Sequence, residues 1–302
     1  MQTKLKRRQK TIKADYQYAK KSLGQNFLTD ISVLKKIVRA VDIKKGDVVV
    51  EIGPGHGELT KYLLEAKPTR LILIEKDGRL IGGLHKKFQN TNHKKQTSNK
   101  TQIPNIEIID GDVLDIIENW KLKIGNSTSY KLVGNIPYYI TGHLLRLIGE
   151  QITSGKSQIT KIVLTVQKEV AERICAKPPK MNILAASVQF WGKPEIISII
   201  PREKFNPAPK IDSAIIKIVP VKSRWPNIDG QNFYKLIKVL FKQPRKTIWN
   251  NLKQLTLRQA QGKQFTEERL KKLLIQLEIN PEDRPQNLSI DKITDLNSVI
   301  WQ

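Results

Sequence analysis

An amide, a proline and an aromatic ring directly follow one of the apolar runs of this sequence. In LVGNIPYYIT (132–141) they are Asn135, Pro137 and Tyr138. The side-chain oxygen of Asn135, with a backbone carbonyl of Ile136 or Pro137, can accept hydrogen bonds from both N–H bonds of an amino group. Two such acceptors stabilise a nitrogen that becomes tetrahedral, so they suit transfer to an exocyclic amine such as that of adenine, and Tyr138 offers a face for stacking an extruded base. The ordinary alternative is a proline turn whose amide is satisfied within the fold.

A glycine-spaced turn lies upstream, where VVVEIGPGHGELT (48–60) combines a strand, a turn and the start of a helix. Gly53, Gly55 and Gly57 leave the backbone open to a ligand at the carboxyl end of a strand, which is where open α/β sheets bind ligands. A dinucleotide fold begins in the same way, but its third glycine would fall on Glu58, and a carboxylate there faces a pyrophosphate poorly. The compact G-x-G-x-G spacing favours a ligand without phosphates, S-adenosylmethionine.

Acidic residues end the next two predicted strands. Glu75 offers a carboxylate to the ribose hydroxyls of the cofactor, and Asp112 offers one to the amino group of its adenine. Asp110 is an alternative to Asp112. An isolated acid at a strand end is commonly a helix cap or a solvated turn residue, but two beside the glycine turn favour a binding site.

The composition points to a polyanionic partner. The chain of 302 residues carries 53 Lys and Arg against 28 Asp and Glu, a net charge of +25. Such a surplus favours nucleic acid over a merely solubilising surface or an anionic membrane. We expect contacts to nucleic acid from the basic N-terminal arm, Lys210, Arg245 and Lys246.

Several classes of protein are disfavoured. One cysteine, Cys175, cannot form an internal disulfide, and four scattered histidines give no metal-ligand spacing, so we expect neither disulfide nor metal. No apolar run is long enough to cross a bilayer, and the N-terminus lacks the apolar centre of a secretory signal. We therefore expect a cytoplasmic protein, and nothing suggests an obligate oligomer, so we expect a monomer.

The elements that would position these residues form an α/β pattern. Continuously apolar, β-rich runs separated by helical segments indicate a doubly wound, seven-stranded, mostly parallel sheet covered by helices on both faces. The last two runs leave no room for a helix between them and should pair antiparallel. The predicted strands are 48–53, 71–76, 106–112, 131–136, 161–166, 195–200 and 214–219.

Helical spacing dominates elsewhere. Residues 31–41 predict a helix capped by Thr29 or Asp30, and the chain after Pro220 predicts a small helical domain with Thr266 and Ser289 as N-caps. We thus expect a basic N-terminal extension (1–20), a catalytic domain (21–220) and a small helical domain (221–302) that binds nucleic acid. Its helices are predicted at 232–241, 266–279 and 289–300.

Taken together, these motifs resemble the ribosomal RNA adenine dimethyltransferases, and most closely the branch that modifies small-subunit (16S) RNA. The resemblance runs from about residue 20 to the C-terminus, and its specificity lies in the set of motifs. They are LGQNFL (23–28), EIGPGHGELT, IEKD, GDVL, GNIPYYIT, QKEVAERI, FNPAPKIDSAI and RKTIWNNL.

The resemblance implies a methyltransferase of Rossmann-like fold that gives two methyl groups to each of two adjacent adenines in a hairpin near the 3′ end of the RNA, on an immature small subunit. It places the target adenine between Tyr138 and Phe205. The cofactor residues that it implies are Asn26, Leu28, Gly53, Glu75, Asp112 and Asn135.

Two features depart from the family pattern. The basic extension is longer than usual, and the 93–102 insertion has no counterpart.

Three further functions compete with this one. The nearest rival is the branch that dimethylates large-subunit RNA and confers antibiotic resistance, whose members are shorter and lack RKTIWNNL. A mitochondrial relative that doubles as a transcription factor also competes, as does an assembly factor that acts mainly by binding.

Overall fold

A computed structural model describes residues 19–89, 105–118, 129–221, 228–256 and 266–301. The predicted loops at 93–102 and 257–265, and nearly all of the N-terminal extension, lie outside the described residues. The strands of the described part are β1 (Phe27–Leu28), β2 (Val48–Ile52), β3 (Arg70–Glu75), β4 (Asn105–Asp110), β5 (Tyr130–Asn135), β6 (Ile159–Gln167), β7 (Gly192–Ile200), β8 (Phe205–Asn206) and β9 (Ser213–Pro220). The helices are α1 (Ile31–Val41), α2 (Glu58–Glu65), α3 (Gly78–Leu84), α4 (Val113–Glu118), α5 (Thr141–Thr153), α6 (Lys168–Ile174), α7 (Ile183–Gln189), α8 (Gly230–Leu240), α9 (Ile248–Thr256), α10 (Glu267–Gln276) and α11 (Ile290–Ile300).

Seven of these strands form one sheet in the order β4-β3-β2-β5-β6-β9-β7. Strands β2 to β6 pair in parallel, and β9 runs antiparallel to β6 and lies between β6 and β7. Every strand predicted from the sequence is present in it, so the predicted seven-stranded, mostly parallel α/β fold is confirmed. The two-residue ladder between β1 and β8 was not predicted.

One central strand of the sheet is buried along its whole length. All five residues of β2 are buried, as expected for a sheet covered on both faces. Helix α1 covers part of one face with Val33, Leu34, Ile37 and Val41, which lie on one stripe of the helix. Its cap is Asp30, whose side chain accepts from the backbone N–H groups of residues 32 and 33, so the sequence alternative is resolved in favour of Asp30 over Thr29.

The register of the central strands aligns the predicted site residues. Ile52 of β2 lies opposite Ile74 of β3 and opposite Gly134 of β5. One residue further along, Gly53, Glu75 and Asn135 therefore stand side by side at the carboxyl ends of three neighbouring strands. Parallel strands deliver their last side chains to one edge of a sheet, which makes that edge a binding site.

A second core is built from helices. Phe190 and Phe233 stack with ring centroids 3.9 Å apart at its centre, and both side chains are buried. Around them lie buried apolar residues of α7 to α11. Thr266 and Ser289 cap α10 and α11 as predicted, each accepting a backbone N–H with its hydroxyl.

The described residues pack into two units. One takes in Met1–Leu144, Gln158–Ala171 and Glu195–Ile218, and the other Leu145–Ser157, Glu172–Pro194 and Val219–Gln302, as far as these ranges are described. The division into a catalytic and an RNA-binding domain at residue 220 stays a prediction. Within the described residues, no helix has the length and apolar character that crossing a membrane requires.

Candidate active site

A cavity lies at the carboxyl ends of β2, β3 and β5, beside the glycine turn. The turn depends on glycine, because Gly53 and Gly55 have φ angles of +64° and +59°. A Cβ on Gly53 would stand 3.7 Å from the backbone oxygen of Asn135, so the missing side chain leaves room at the floor of the cavity. The predicted residues that line this cavity together are Asn26, Gly53, Gly55, Glu75, Asn135, Pro137 and Tyr138.

Glu75 is the acidic group of this cavity, and it is 5% exposed. One carboxylate oxygen accepts the backbone N–H of Gly55 at 3.0 Å, and the other accepts that of Asp77 at 2.9 Å. Burial raises the pKa of Glu75, and the negative charge of Asp77 adds to the effect, while the backbone N–H groups of residues 77, 55 and 76 oppose it. A carboxylate offers four lone-pair sites, so the group can still accept a ligand hydroxyl.

The side chain of Asn135 is oriented by the N-terminal segment. Its amide nitrogen donates to the backbone oxygen of Asn26 at 2.8 Å. The side chain of Asn26 in turn donates to the backbone oxygen of Gly24 at 3.1 Å. Because the nitrogen of Asn135 is engaged, its oxygen is left as a hydrogen-bond acceptor at the cavity, and it accepts no hydrogen bond from another described residue.

Tyr138 lies on the same cavity, three residues after the end of β5. Its hydroxyl is 2.6 Å from the hydroxyl of Ser213, the first residue of β9, which is fully buried. Burial raises the pKa of Tyr138, although the hydrogen bond to Ser213 opposes this, so the phenol stays protonated at neutral pH. The backbone oxygen of Pro137 accepts the N–H of Ile140 at 3.2 Å, which closes a short 3-10 turn at Tyr138–Ile140.

Asp112 stands beside the cavity and does not line it. Its carboxylate lies 2.5 Å from the ammonium of Lys76 and accepts the backbone N–H of Leu114 at 3.0 Å. Lys76 itself lines the cavity. Burial raises the pKa of Asp112, but these two partners outweigh it, and the net pKa is lowered. Asp110 is exposed at the end of β4, opposite Glu75 in the register. The choice between Asp112 and Asp110 stays open, with the Lys76 pairing in favour of Asp112.

Leu28 and Phe205 occupy core positions. They face each other in the β1–β8 ladder, and each is 4% exposed. Neither lines the cavity, and both belong to the apolar core of the sheet. The role of Phe205 as a second stacking surface stays a prediction that would require its ring to move.

Lys210, Arg245 and Lys246 are exposed, and none of the three forms an ion pair with another described residue, whereas the predicted contacts of the N-terminal arm lie outside the described residues. Lys210 precedes β9, whereas Arg245 and Lys246 sit in the turn before α9. The buried side chain of Asn251 holds this turn, because its amide donates to the backbone oxygens of residues 243, 246 and 247 and its oxygen accepts the N–H of Gln243. The turn therefore presents two cations on a fixed backbone.

Among the described residues, no three His, Cys, Asp or Glu side chains come together as metal ligands. The donor set of the cavity consists of amide, carboxylate, hydroxyl and backbone groups.

Comparison with known proteins gives the family. The sequence profile of the ribosomal RNA adenine dimethylase family matches residues 16–296. The chain belongs to this family. Ribosomal RNA small subunit methyltransferase A of Dehalococcoides mccartyi (strain CBDB1) is 38% identical over 275 residues, which cover 91% of this chain and 86% of that protein. The protein of the same name from Fusobacterium nucleatum is 38% identical over 282 residues, which cover 92% of this chain and 96% of that protein.

Solved structures agree with this family assignment. A dimethyladenosine transferase from Plasmodium falciparum superposes with a TM-score of 0.72 at 26% identity, covering 89% of this chain and 95% of that one. The 23S rRNA methyltransferase ErmE superposes with a TM-score of 0.63 at 21% identity, covering 92% of this chain and all of that one, and it shows the shared fold alone. The methyltransferase fold expected from the sequence is thus confirmed.

Sequence reasoning missed several residues that shape the site. Gln25 donates to Asp77 at 2.9 Å and so ties the N-terminal segment to the residues after β3. Ser213 anchors Tyr138, and Asn251 organises the basic turn. Each acts through a partner more than 50 residues away or through local backbone, and neither spacing nor residue type signals such a role.

Proposed function

We propose that this chain transfers methyl groups from S-adenosylmethionine to the exocyclic amines of two adjacent adenines, in a hairpin near the 3′ end of small-subunit (16S) rRNA. Each adenine receives two methyl groups, on an immature small subunit in the cytosol, and the protein acts as a monomer. The observation that carries this proposal is the placement of a free amide oxygen, that of Asn135, in one cavity with the glycine turn and Glu75. The names of the relatives favour the small-subunit RNA.

The cavity residues fit the proposed cofactor. Glu75 can still accept a ribose hydroxyl, and Asp112, which stands beside the cavity, has acceptor capacity for an adenine amino group. Gly53 leaves space for a ligand to approach the backbone closely. When bound, S-adenosylmethionine supplies an electrophilic methyl group on its sulfonium.

The chain's own contribution is to position the amine and stabilise it during transfer. The nitrogen lone pair of adenine is delocalised into the ring, so two acceptors on its N–H bonds favour the tetrahedral nitrogen over the planar ground state. Asn135 provides one acceptor. The carbonyl of Pro137 already accepts a backbone N–H, which favours the carbonyl of Ile136 as the other. Tyr138 supplies a ring for stacking the base.

Asn135→Ala tests this mechanism. Because the variant removes one of two acceptors, we expect dimethyladenosine formation on undermethylated small subunits to fall at least about a hundredfold. RNA affinity should stay nearly unchanged, because the amide is not one of the basic groups that bind phosphate. Nucleoside mass spectrometry measures the product, and filter binding measures the affinity.

The matched control is Asn232→Ala, an asparagine on α8 outside the cavity, which should keep full activity. Near-normal product from Asn135→Ala would refute the mechanism. Loss of activity in step with RNA affinity would instead favour a protein that acts mainly by binding the subunit. Product on large-subunit RNA, with none on small subunits, would favour the antibiotic-resistance branch.

A further inference from the structure

A large aromatic side chain stands open at the mouth of the cavity. Tyr139 is 62% exposed and lines the same cavity as Tyr138. Its hydroxyl has no hydrogen-bond partner among the described residues. Little of this ring is therefore buried on folding. Exposed aromatic surface beside a binding cavity commonly contacts a ligand.

One side of the ring lies next to Gly24. This glycine adopts a φ of +61°, and a Cβ built there would lie 3.5 Å from Cδ1 of Tyr139 and 3.7 Å from Cβ of Pro137. The space between Gly24 and the ring would therefore be filled by a single methyl group. The rest of the ring surface is open to solvent at the cavity, where it can stack on a flat apolar ligand.

Tyr138 and Tyr139 cannot both stack on one base. They are consecutive residues of a 3-10 turn, in which neighbouring side chains point about 120° apart. The hydroxyl of Tyr138 is tied to Ser213, which fixes the direction of that ring. Tyr139 therefore presents its surface to a different group, outside the position of the target adenine.

We propose that Tyr139 holds the base next to the target adenine. This inference rests on the proposed function, in which two adjacent adenines are modified. When one of them is extruded, the neighbour loses a stacking partner, and an aromatic ring beside the target site replaces it without regard to base identity. The ligand class is an unstacked RNA base, and the site keeps the second adenine within reach for the next transfer.

The test combines variants of Tyr139 with changes in the RNA. The substrates are undermethylated small subunits that carry the natural adenine pair, or an abasic site on the 5′ or the 3′ side of one target adenine. On the natural pair, Tyr139→Ala should lower kcat/KM for dimethylation about tenfold, since one base–aromatic stack is lost. On one of the abasic subunits, the same variant should match the wild type within about twofold, because the base that would stack is already missing.

Two controls separate stacking from a structural role. Tyr139→Phe keeps the ring and should keep the activity, and Ile275→Ala removes an apolar side chain that is 70% exposed on α10 and should change nothing. Binding of S-adenosylhomocysteine to Tyr139→Ala, measured by calorimetry, should equal that of the wild type.

The outcomes are distinct. No loss on the natural pair, an equal loss on all subunits, or weakened S-adenosylhomocysteine binding would each overturn the assignment of Tyr139 while leaving the proposed function intact. A wild-type chain that methylates no small subunit would overturn the proposed function, and the assignment would fall with it.

Discussion

At the scale of single residues, the hydrogen bond between Tyr138 and Ser213 orients the ring that we propose stacks on the target base. The two hydroxyls are 2.6 Å apart, and Ser213 is fully buried. Removing one partner leaves the other hydroxyl without its bond in a poorly hydrated place, which costs about 1–3 kcal/mol. The hydroxyl at the edge of the ring makes this hydrogen bond. Its loss would therefore make the ring more mobile but leave the aromatic face unchanged.

We predict that Ser213→Ala and Tyr138→Phe each lower kcat about five- to tenfold with little change in KM, and that the double variant is no worse than either single one. The reason is that both changes remove the same bond. Steady-state kinetics on undermethylated small subunits measures this double-mutant cycle, with Tyr62→Phe on α2 as the control. Fully additive losses would mean that Ser213 acts independently of Tyr138.

The main site residues could be predicted because their types carry chemistry. Asn135 and Glu75 were singled out by residue type and by their position after predicted strands, and the glycines by their spacing; the structure places Gly53, Glu75 and Asn135 side by side at one sheet edge. Ser213 could not be found in this way, since a serine at a strand start has no distinguishing signal and its partner lies 75 residues away. Tyr139 was visible in the sequence, but only its exposure separates it from a core aromatic.

At the scale of elements, a buried carboxyl group joins β2 to α2 beneath the cavity. Glu51 is 1% exposed, and one of its oxygens accepts the hydroxyl of Thr60 at 2.6 Å. Burial raises the pKa of Glu51 from 4.5 to about 8, and the charge of Glu75 adds to it, while the hydrogen bond from Thr60 opposes it. The folded chain therefore keeps this group protonated at neutral pH.

This gives a predicted pH dependence of stability. Between pH 4.5 and about 8, the folded state holds a proton on Glu51 that the unfolded state has lost, so the free energy of unfolding falls as pH rises through this window. Glu51→Gln cannot ionise, and we expect it to be more stable than the wild type by about 3–5 kcal/mol at pH 9, with the difference fading toward pH 4.5.

Urea unfolding at pH 5, 7 and 9 measures the effect. Glu65→Gln, an exposed carboxylate on α2, is the control and should leave the pH dependence unchanged. Parallel pH profiles for the wild type and Glu51→Gln would contradict the prediction.

The elements themselves were predictable where local pattern determines them. Long apolar runs gave all seven strands of the sheet, and the caps Thr266 and Ser289 marked two helices correctly. The β1–β8 ladder was missed because two residues carry no periodicity and their partner lies far along the chain. Helix α9 was missed as an element because it has only nine residues and follows a proline-containing turn, although Ile248, Leu252 and Leu255 have helical spacing.

At the scale of the whole molecule, composition predicts the class of partner better than it predicts how the chain is divided into packing units. The net charge of +25 follows from counting residues. The division into two packing units cannot be obtained by counting residues. One unit contains residues 145–157 and 172–194 as well as the chain from residue 219 onward. The composition of these segments does not differ from that of their neighbours, so only long-range contacts show which unit they belong to.

The charge makes RNA binding sensitive to salt. Each lysine or arginine that contacts a phosphate releases a condensed counterion, so affinity falls in proportion to a power of the salt concentration. With about six such contacts, we expect the affinity for undermethylated small subunits to fall roughly a thousandfold between about 50 and 200 mM salt. Arg245 and Lys246 are exposed on a turn that Asn251 holds in place, and they have no acidic partner among the described residues.

The double variant Arg245→Ala and Lys246→Ala should therefore flatten the slope of log affinity against log salt by about 1.5 to 2, because two phosphate contacts are lost. Lys44→Ala is the matched control: Lys44 already pairs with Asp42 at 2.7 Å, so its removal should leave the slope unchanged. Filter binding over a salt series measures all three proteins. An unchanged slope in the double variant would place the RNA elsewhere on the basic surface, whereas a salt-independent wild type would refute the electrostatic basis of binding.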